Sequence, residues 1–174
     1  MAIRDAKSAD IPAMLEIYSP NVEKTAITFE YEPPTRDAFL ERFRNVSSRC
    51  PWLVWEENGE ILGYAYAAPA FEKAAYAWCA DVTVYLREDA RGRGIGSALY
   101  AALESRLREQ GYQLLYALVT ADNEASLRFH ERLGYVKVGE LPDSGWKLGR
   151  WHSVFWLQKR IARREPTAFP QKNS

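Results

Sequence analysis

The segment from Asp81 to Ser97 reads DVTVYLREDARGRGIGS. Its first half alternates, with Val82, Val84 and Leu86 on one side and Asp81, Thr83 and Tyr85 on the other, which is the pattern of a strand. Its second half is a basic turn punctuated by glycine. Beyond it Ile95, Leu99, Leu103 and Leu107 recur at helical spacing, so the segment reads as strand, loop, helix. Gly92, Gly94 and Gly96 remove the β-carbons that would hold an anion away from the backbone, and the first amides of a helix have no intrahelical acceptor. Arg91 and Arg93 add positive charge at the positive end of the helix. Taken alone the segment is either a phosphate-sized anion site or an ordinary glycine turn. Two nucleotide loops are excluded by spacing. Position 97 is Ser where a dinucleotide fingerprint needs Gly, and no Gly-Lys-Ser/Thr follows as a nucleoside triphosphate loop requires.

Working outward, Ile3 begins a short strand, and Ser8 or Asp10 caps a helix carrying Ile11, Met14, Leu15 and Tyr18, which Pro20-Asn21 is expected to break. Thr25 to Tyr31 is a loop or short strand ending at Pro33-Pro34, and Thr35 caps a second helix that buries Ala38, Phe39, Phe43 and Val46. Trp52 to Trp55 and Ile61 to Ala67 form an antiparallel hairpin through Glu57-Asn58-Gly59, since Asn-Gly between alternating runs is a strong hairpin signal. After the long helix, which Gly111 ends, Leu114 to Val119 is an apolar strand lying parallel to the one before the turn. Asn123, Ser126 and His130 fall on one face of a short helix over Glu124 to Leu133. Two last strands, Tyr135 to Leu141 and Arg150 to Gln158, are expected to flank a loop at Pro142 to Gly149. The residues after Lys159 read as a frayed tail.

The 174 residues suit one domain with a full core, assigned to residues 1–160 with a tail at 161–174. Basic and acidic side chains balance at 23 each, which offers no electrostatic footprint for nucleic acid or an anionic membrane. The expected partner is a small molecule. No signal peptide or membrane-length apolar run is read, so the expected compartment is the cytoplasm. Cys50 and Cys79 lack metal-ligand spacing and suit buried thiols, with a disulfide between them left open. No metal site is expected.

Arg91-Gly92-Arg93-Gly94-Ile95-Gly96 fits the Arg/Gln-x-x-Gly-x-Gly/Ala signature of the GNAT acetyltransferase superfamily. Cys50-Pro51-Trp52-Leu53-Val54, Ala80-Asp81-Val82-Thr83-Val84-Tyr85, His130-Glu131-Arg132-Leu133-Gly134-Tyr135 and Gly145-Trp146-Lys147-Leu148-Gly149-Arg150-Trp151-His152 narrow the likeness. From Ile3 to Leu157 the chain resembles the phosphinothricin N-acetyltransferase family. That resemblance implies an α/β fold of the GNAT type. Its mixed, mostly antiparallel sheet would have about seven strands splayed at a parallel central pair and flanked by about four helices. It also implies direct acetyl transfer from acetyl-CoA, as co-substrate, to the α-amine of a small anionic amino acid of the phosphinothricin, methionine sulfone or sulfoximine kind. A homodimer is expected, with aromatic residues between Trp146 and Trp156 suited to the contact.

The resemblance distributes roles over the chain. Asp81 stands where the family places a catalytic Glu and is the candidate base, one methylene shorter; the alternative is a solvated strand residue. It would need a raised pKa, for which Trp78 and Tyr76 are the expected apolar neighbours. His130 stands where many members carry a Tyr that protonates the leaving thiolate, and it either does so or only contacts the cofactor. His152 is read as loop-fixing before it is read as catalytic. Backbone groups of Val84, Tyr85 and Leu86 would hold the pantetheine arm, and Arg91 to Ser97, through Gly92, Arg93, Gly94, Ile95 and Gly96, the pyrophosphate. Asn123, Ser126 and Arg132 match cofactor contacts, with a helix cap and an exposed charge as the plain alternatives for the first and last. Phe29, Lys73 and Tyr76 would meet the acceptor, Lys73 through its charge unless it is an ordinary loop lysine. The rival functions are acetylation of another amine, such as a polyamine or a protein N-terminus, and a non-catalytic acyl-CoA-binding module.

Overall fold

Alternating burial along the strands sorts side chains onto two faces of one sheet, and that sorting positions the site. The computed structural model describes residues 1–163, 165–166 and 168–171. Among these, seven strands form a single sheet: β1 (Ala2–Asp5), β2 (Trp52–Glu57), β3 (Glu60–Pro69), β4 (Cys79–Leu86), β5 (Leu114–Thr120), β6 (Val136–Lys147) and β7 (Arg150–Arg160). Their order is β1-β2-β3-β4-β5-β7-β6, and every neighbouring pair is antiparallel except β4 with β5. The helices α1 (Ile11–Lys24), α2 (Arg36–Ser47), α3 (Ile95–Gln110) and α4 (Glu124–Arg132) flank it.

One face buries Leu53, Ala65, Val82, Leu115 and Leu157 against Leu99, Leu103 and Leu107 of α3. The other buries Trp52, Val54 and Tyr64 against Ile11, Met14 and Val22 of α1 and Phe39 and Phe43 of α2. Each fully buried leucine of α3 contributes on the order of 1.5–3 kcal/mol, so α3 is anchored along its length. Its two ends are glycines in the left-handed region, Gly94 at φ +80 and Gly111 at φ +101. Thr35 caps α2 by accepting the Ala38 N–H, and Asn58 and Gly59, both at positive φ, make the β2–β3 turn.

Several expectations are corrected. Pro20 does not break α1, which continues to Lys24. The turn around Pro20 is supported by Ser19 Oγ donating to the Leu15 carbonyl at 2.8 Å and Asn21 Nδ2 to Ile17 at 2.9 Å, while Ile17, Tyr18 and Val22 are buried. Tertiary burial outweighs the proline. Ala38 of α2 is exposed. Pro142 to Lys147 belongs to β6, not to a loop; the strand crosses an irregularity between Leu141 and Gly145, and the turn is confined to Leu148 and Gly149, both at positive φ. Pro142 is tolerated because β6 is an edge strand. The described residues near the C-terminus are not frayed: Phe169 stacks on Trp78 at 5.3 Å, and Gln171 N–H donates to the Gln110 carbonyl. Cys50 and Cys79 are free and buried. No helix among the described residues is long and apolar enough to cross a membrane.

Candidate active site

The parallel pair β4–β5 holds for only three partners, Cys79 with Leu114, Ala80 with Leu115 and Asp81 with Tyr116. Past Asp81 each strand stays with its outer neighbour, β4 with β3 as far as Leu86 and β5 with β7 as far as Thr120, so the sheet forks. A cleft fills the fork, lined by Val82 to Tyr85 on one side and Ala117 to Thr120 on the other, with Asn123, Ser126 and His130 of the α4 region. The Arg87 N–H donates to Leu62, which makes that an inward-paired position of β3 and β4. Pairing alternates along an antiparallel ladder, so Tyr85, Thr83 and Asp81 also spend their amides on β3, and the amides of Val84 and Leu86 face the fork. They are the free peptide donors a bound ligand meets first.

Asp81 stands at the apex. Its Oδ1 is buried without a hydrogen-bond partner. Burial raises its pKa to about 7, partly opposed by the Val82 N–H. Trp78 stacks on Phe169 and Tyr76 packs on Phe71. Within the sheet Asp81 is flanked by Ala68 and Tyr116.

At the wide end of the fork lies the glycine turn. Ala98 N–H is the first to bond back into α3, to Gly94, which leaves the amides of Ile95, Gly96 and Ser97 without helical acceptors. Gly92 and Gly94 both sit at positive φ, and a β-carbon built on either meets nothing within 4 Å. The turn is therefore an open cradle of N–H groups, and it fits a diphosphate. Arg91 is exposed, while Arg93 pairs with Glu57 of the β2–β3 hairpin. Burial lowers the pKa of His130, whose Nδ1 lies 2.8 Å from the Ser126 carbonyl and whose Nε2 lies 3.1 Å from the Tyr100 hydroxyl. A neutral ring with its proton on Nδ1 satisfies both contacts, so Nε2 accepts from Tyr100. Tyr100 also lies 3.3 Å from the Val82 carbonyl. The helical spacing of α3 does not single out this tyrosine; only the fork's geometry brings it to the cleft. Asn123 caps α4 by accepting the Ser126 N–H, and Arg132 is exposed and lines no part of the cleft.

Two cavities adjoin the cleft and share Ile27 and Thr120 with it. One, of about 370 Å³, is lined by Ile27, Phe29, Leu118, Thr120, Leu141, Ser144 and Val154. The other, of about 310 Å³, includes Lys24, Asp122, Arg150 and His152. His152 has Nδ1 at 3.1 Å from Asp122 and Nε2 at 2.9 Å from the Lys147 carbonyl, which ties one ring nitrogen to the turn before α4 and the other to β6. Lys73 and Tyr76 are not brought to Phe29: they line a separate cavity with Arg49, Phe71 and Phe169, which shares no residue with the cleft. Lys147, unsingled by its spacing, is buried and donates to the Thr28 carbonyl at 2.7 Å.

The family described as the Acetyltransferase (GNAT) family matches residues 11–135. A phosphinothricin N-acetyltransferase from Streptomyces viridochromogenes is 37% identical over 155 residues, 88% of this chain and 85% of that protein. An L-methionine sulfoximine/L-methionine sulfone acetyltransferase from Pseudomonas aeruginosa is 35% identical over 163 residues, 92% of this chain and 94% of that one. Among solved structures, a GNAT superfamily phosphinothricin acetyltransferase from Sinorhizobium meliloti in complex with AcCoA superposes with a TM-score of 0.91 at 29% identity, over 97% of this chain and 94% of the other.

Proposed function

The chain belongs to the GNAT acetyltransferase family and is an acetyl-CoA-dependent N-acetyltransferase, and we propose that it acetylates the α-amine of a small anionic amino acid of the phosphinothricin, methionine sulfone or methionine sulfoximine kind. The observation that carries the reading is the buried carboxyl of Asp81, with Oδ1 unpartnered, at the last β4–β5 pair before the sheet forks. Acetyl-CoA supplies an acetyl thioester, an acyl group already activated toward amines. The amides of Ile95, Gly96 and Ser97 would hold its diphosphate, and those of Val84 and Leu86 would meet its arm and the thioester oxygen. An α-amine arrives mostly protonated near neutral pH. Asp81 removes that proton, and its pKa of about 7 suits a base that must both accept and release a proton there. Being one methylene shorter than the family's glutamate, it works through one water. His130, held neutral, serves less as a proton donor than as a fixed acceptor that orients the Tyr100 hydroxyl at the cleft wall. An anionic acceptor is supported by Lys24 at the adjoining cavity rather than by Lys73; Arg150, which also lines that cavity, is already paired with Asp122. We assign this activity to one domain over residues 1–160.

The test is a thiol-release assay with acetyl-CoA and a panel of phosphinothricin, methionine sulfone, neutral amino acids, spermidine and a peptide. Turnover confined to the first two is expected. Equal turnover with spermidine or the peptide, or cofactor binding with no turnover throughout, overturns the reading. We further infer a homodimer through the β6–β7 hairpin. Val136, Val138, Leu148 and the edge-to-face pair Trp146–Trp151 are exposed on this hairpin, whose strand β6 is an edge of the sheet. Sedimentation at micromolar concentration should give twice the 19.9 kDa chain mass; a monomer there removes the dimer.

A further inference from the structure

Gly145 is an isolated glycine inside β6, between Ser144 and Trp146 and paired with His152. It is not among the glycines at positive φ, so its backbone does not require glycine. A β-carbon built on it would lie 2.2, 2.3 and 2.7 Å from Cε2, Cζ and Cδ2 of Phe29, distances that no real contact allows. The ring of Phe29 therefore occupies the space a side chain at position 145 would take.

We propose that Gly145 determines the length of acceptor side chain the enzyme admits, by giving the Phe29 ring a berth outside the roughly 370 Å³ cavity that it walls. This rests on the reading of that cavity as the acceptor site. The segment carrying the ring cannot withdraw as a unit. Lys147 Nζ holds the Thr28 carbonyl, the Tyr31 hydroxyl donates to the Trp146 carbonyl, and Glu30 is bound by Arg42 and Tyr18. His152, with both nitrogens engaged, stands on another side with its ring centroid 6.3 Å from that of Phe29. Phe29 is 38% exposed, so a methyl group at position 145 leaves the ring solvent on one side and, on the other, the apolar cavity toward Leu118 and Thr120; the second keeps the ring out of water and is the direction taken. The far end of the site is shortened, and the acceptors that reach deepest lose most.

Methionine sulfone and its homologue one methylene shorter, S-methylcysteine sulfone, measure this directly. In Gly145→Ala the ratio of kcat/KM for the longer over the shorter acceptor is expected to fall by about tenfold, the scale of one methylene in a hydrophobic pocket. Adding Phe29→Ala is expected to restore the ratio, because the displaced ring is then absent. The KM for acetyl-CoA checks that the fold and cofactor site persist. A crystal structure of Gly145→Ala should show the ring turned toward Leu118. Equal losses for both acceptors, no restoration by Phe29→Ala, or a ring left in place with β6 pushed outward would each overturn the proposal. Wild-type enzyme silent toward both sulfones would sink the acceptor assignment instead, and the ring's position in Gly145→Ala would still decide this one.

Discussion

Asp81→Asn is expected to lower kcat by about a hundredfold or more while the affinity for acetyl-CoA changes little, as loss of a general base does. Asparagine keeps the shape of the side chain and cannot take a proton. In the wild type, kcat/KM should rise with pH through about 7, the value that burial imposes on Asp81, and then level. That limb should disappear in Asp81→Asn, whose residual rate follows the free-amine fraction of the acceptor and keeps climbing well above pH 7. His130→Gln should retain the limb, because the burial of His130 holds its own titration below the ordinary histidine value. A wild-type rate in Asp81→Asn, or a limb that survives it, removes Asp81 from the chemistry.

The same carboxyl carries a stability cost with a definite sign. The folded chain keeps the Asp81 proton up to about pH 7, whereas the unfolded chain releases it near 3.8. Between those values the unfolded state has already gained from ionising, so stability falls as pH rises through the window and stays lower above it. Asp81→Asn should therefore melt higher than wild type at pH 8 and close to it at pH 4. The gap from 3.8 to about 7 sets a ceiling of about 4 kcal/mol on the difference. A structural carboxylate paired in the fold would give the opposite sign.

What was legible in the chain is what local pattern dictates. The alternation before Arg87, the glycines from Gly92 to Gly96 and the leucines of α3 each state their geometry within a few residues, and the Asn58-Gly59 turn does the same. The misreadings share one cause. Pro20 lies in α1 because the burial of Ile17, Tyr18 and Val22 outweighs a lost amide. Pro142 to Lys147 looks like a loop by composition yet extends β6, because β7 offers it a partner as far as Arg150. The resemblance groups Lys73 with Phe29, and the structure sets it in another cavity. Gly145 alone carried a usable hint, since a lone glycine in a strand often marks a close approach; that the approaching group is Phe29, 116 positions earlier in the chain, is information only the fold contains.

Gly94→Val is expected to weaken acetyl-CoA binding by about a hundredfold or more, or about 2.7 kcal/mol. Two effects act at this position and they can be separated. Gly94 sits at φ +80, where a β-branched residue is strained by roughly 1–2 kcal/mol, and that strain lowers stability whatever the turn does. The second effect requires a ligand: the turn aims the amides of Ile95, Gly96 and Ser97, and the open space above Gly94 is where an added side chain would stand. Gly111 supplies the control. It closes the other end of α3 at φ +101, meets only Pro170 at 3.7 Å, and faces the helix's negative end. Gly111→Val should lose comparable stability and bind the cofactor as wild type does. By calorimetry the two variants should part by two orders of magnitude in Kd. In thermal melts, ligand at a hundred times the wild-type Kd should stabilise wild type and Gly111→Val by about 2.7 kcal/mol and leave Gly94→Val nearly unmoved. Matching losses of affinity in both variants would mean that the turn only shapes the helix; intact affinity in Gly94→Val would mean that the diphosphate is gripped elsewhere, and the alignment of the acyl group with Asp81 would lose its anchor.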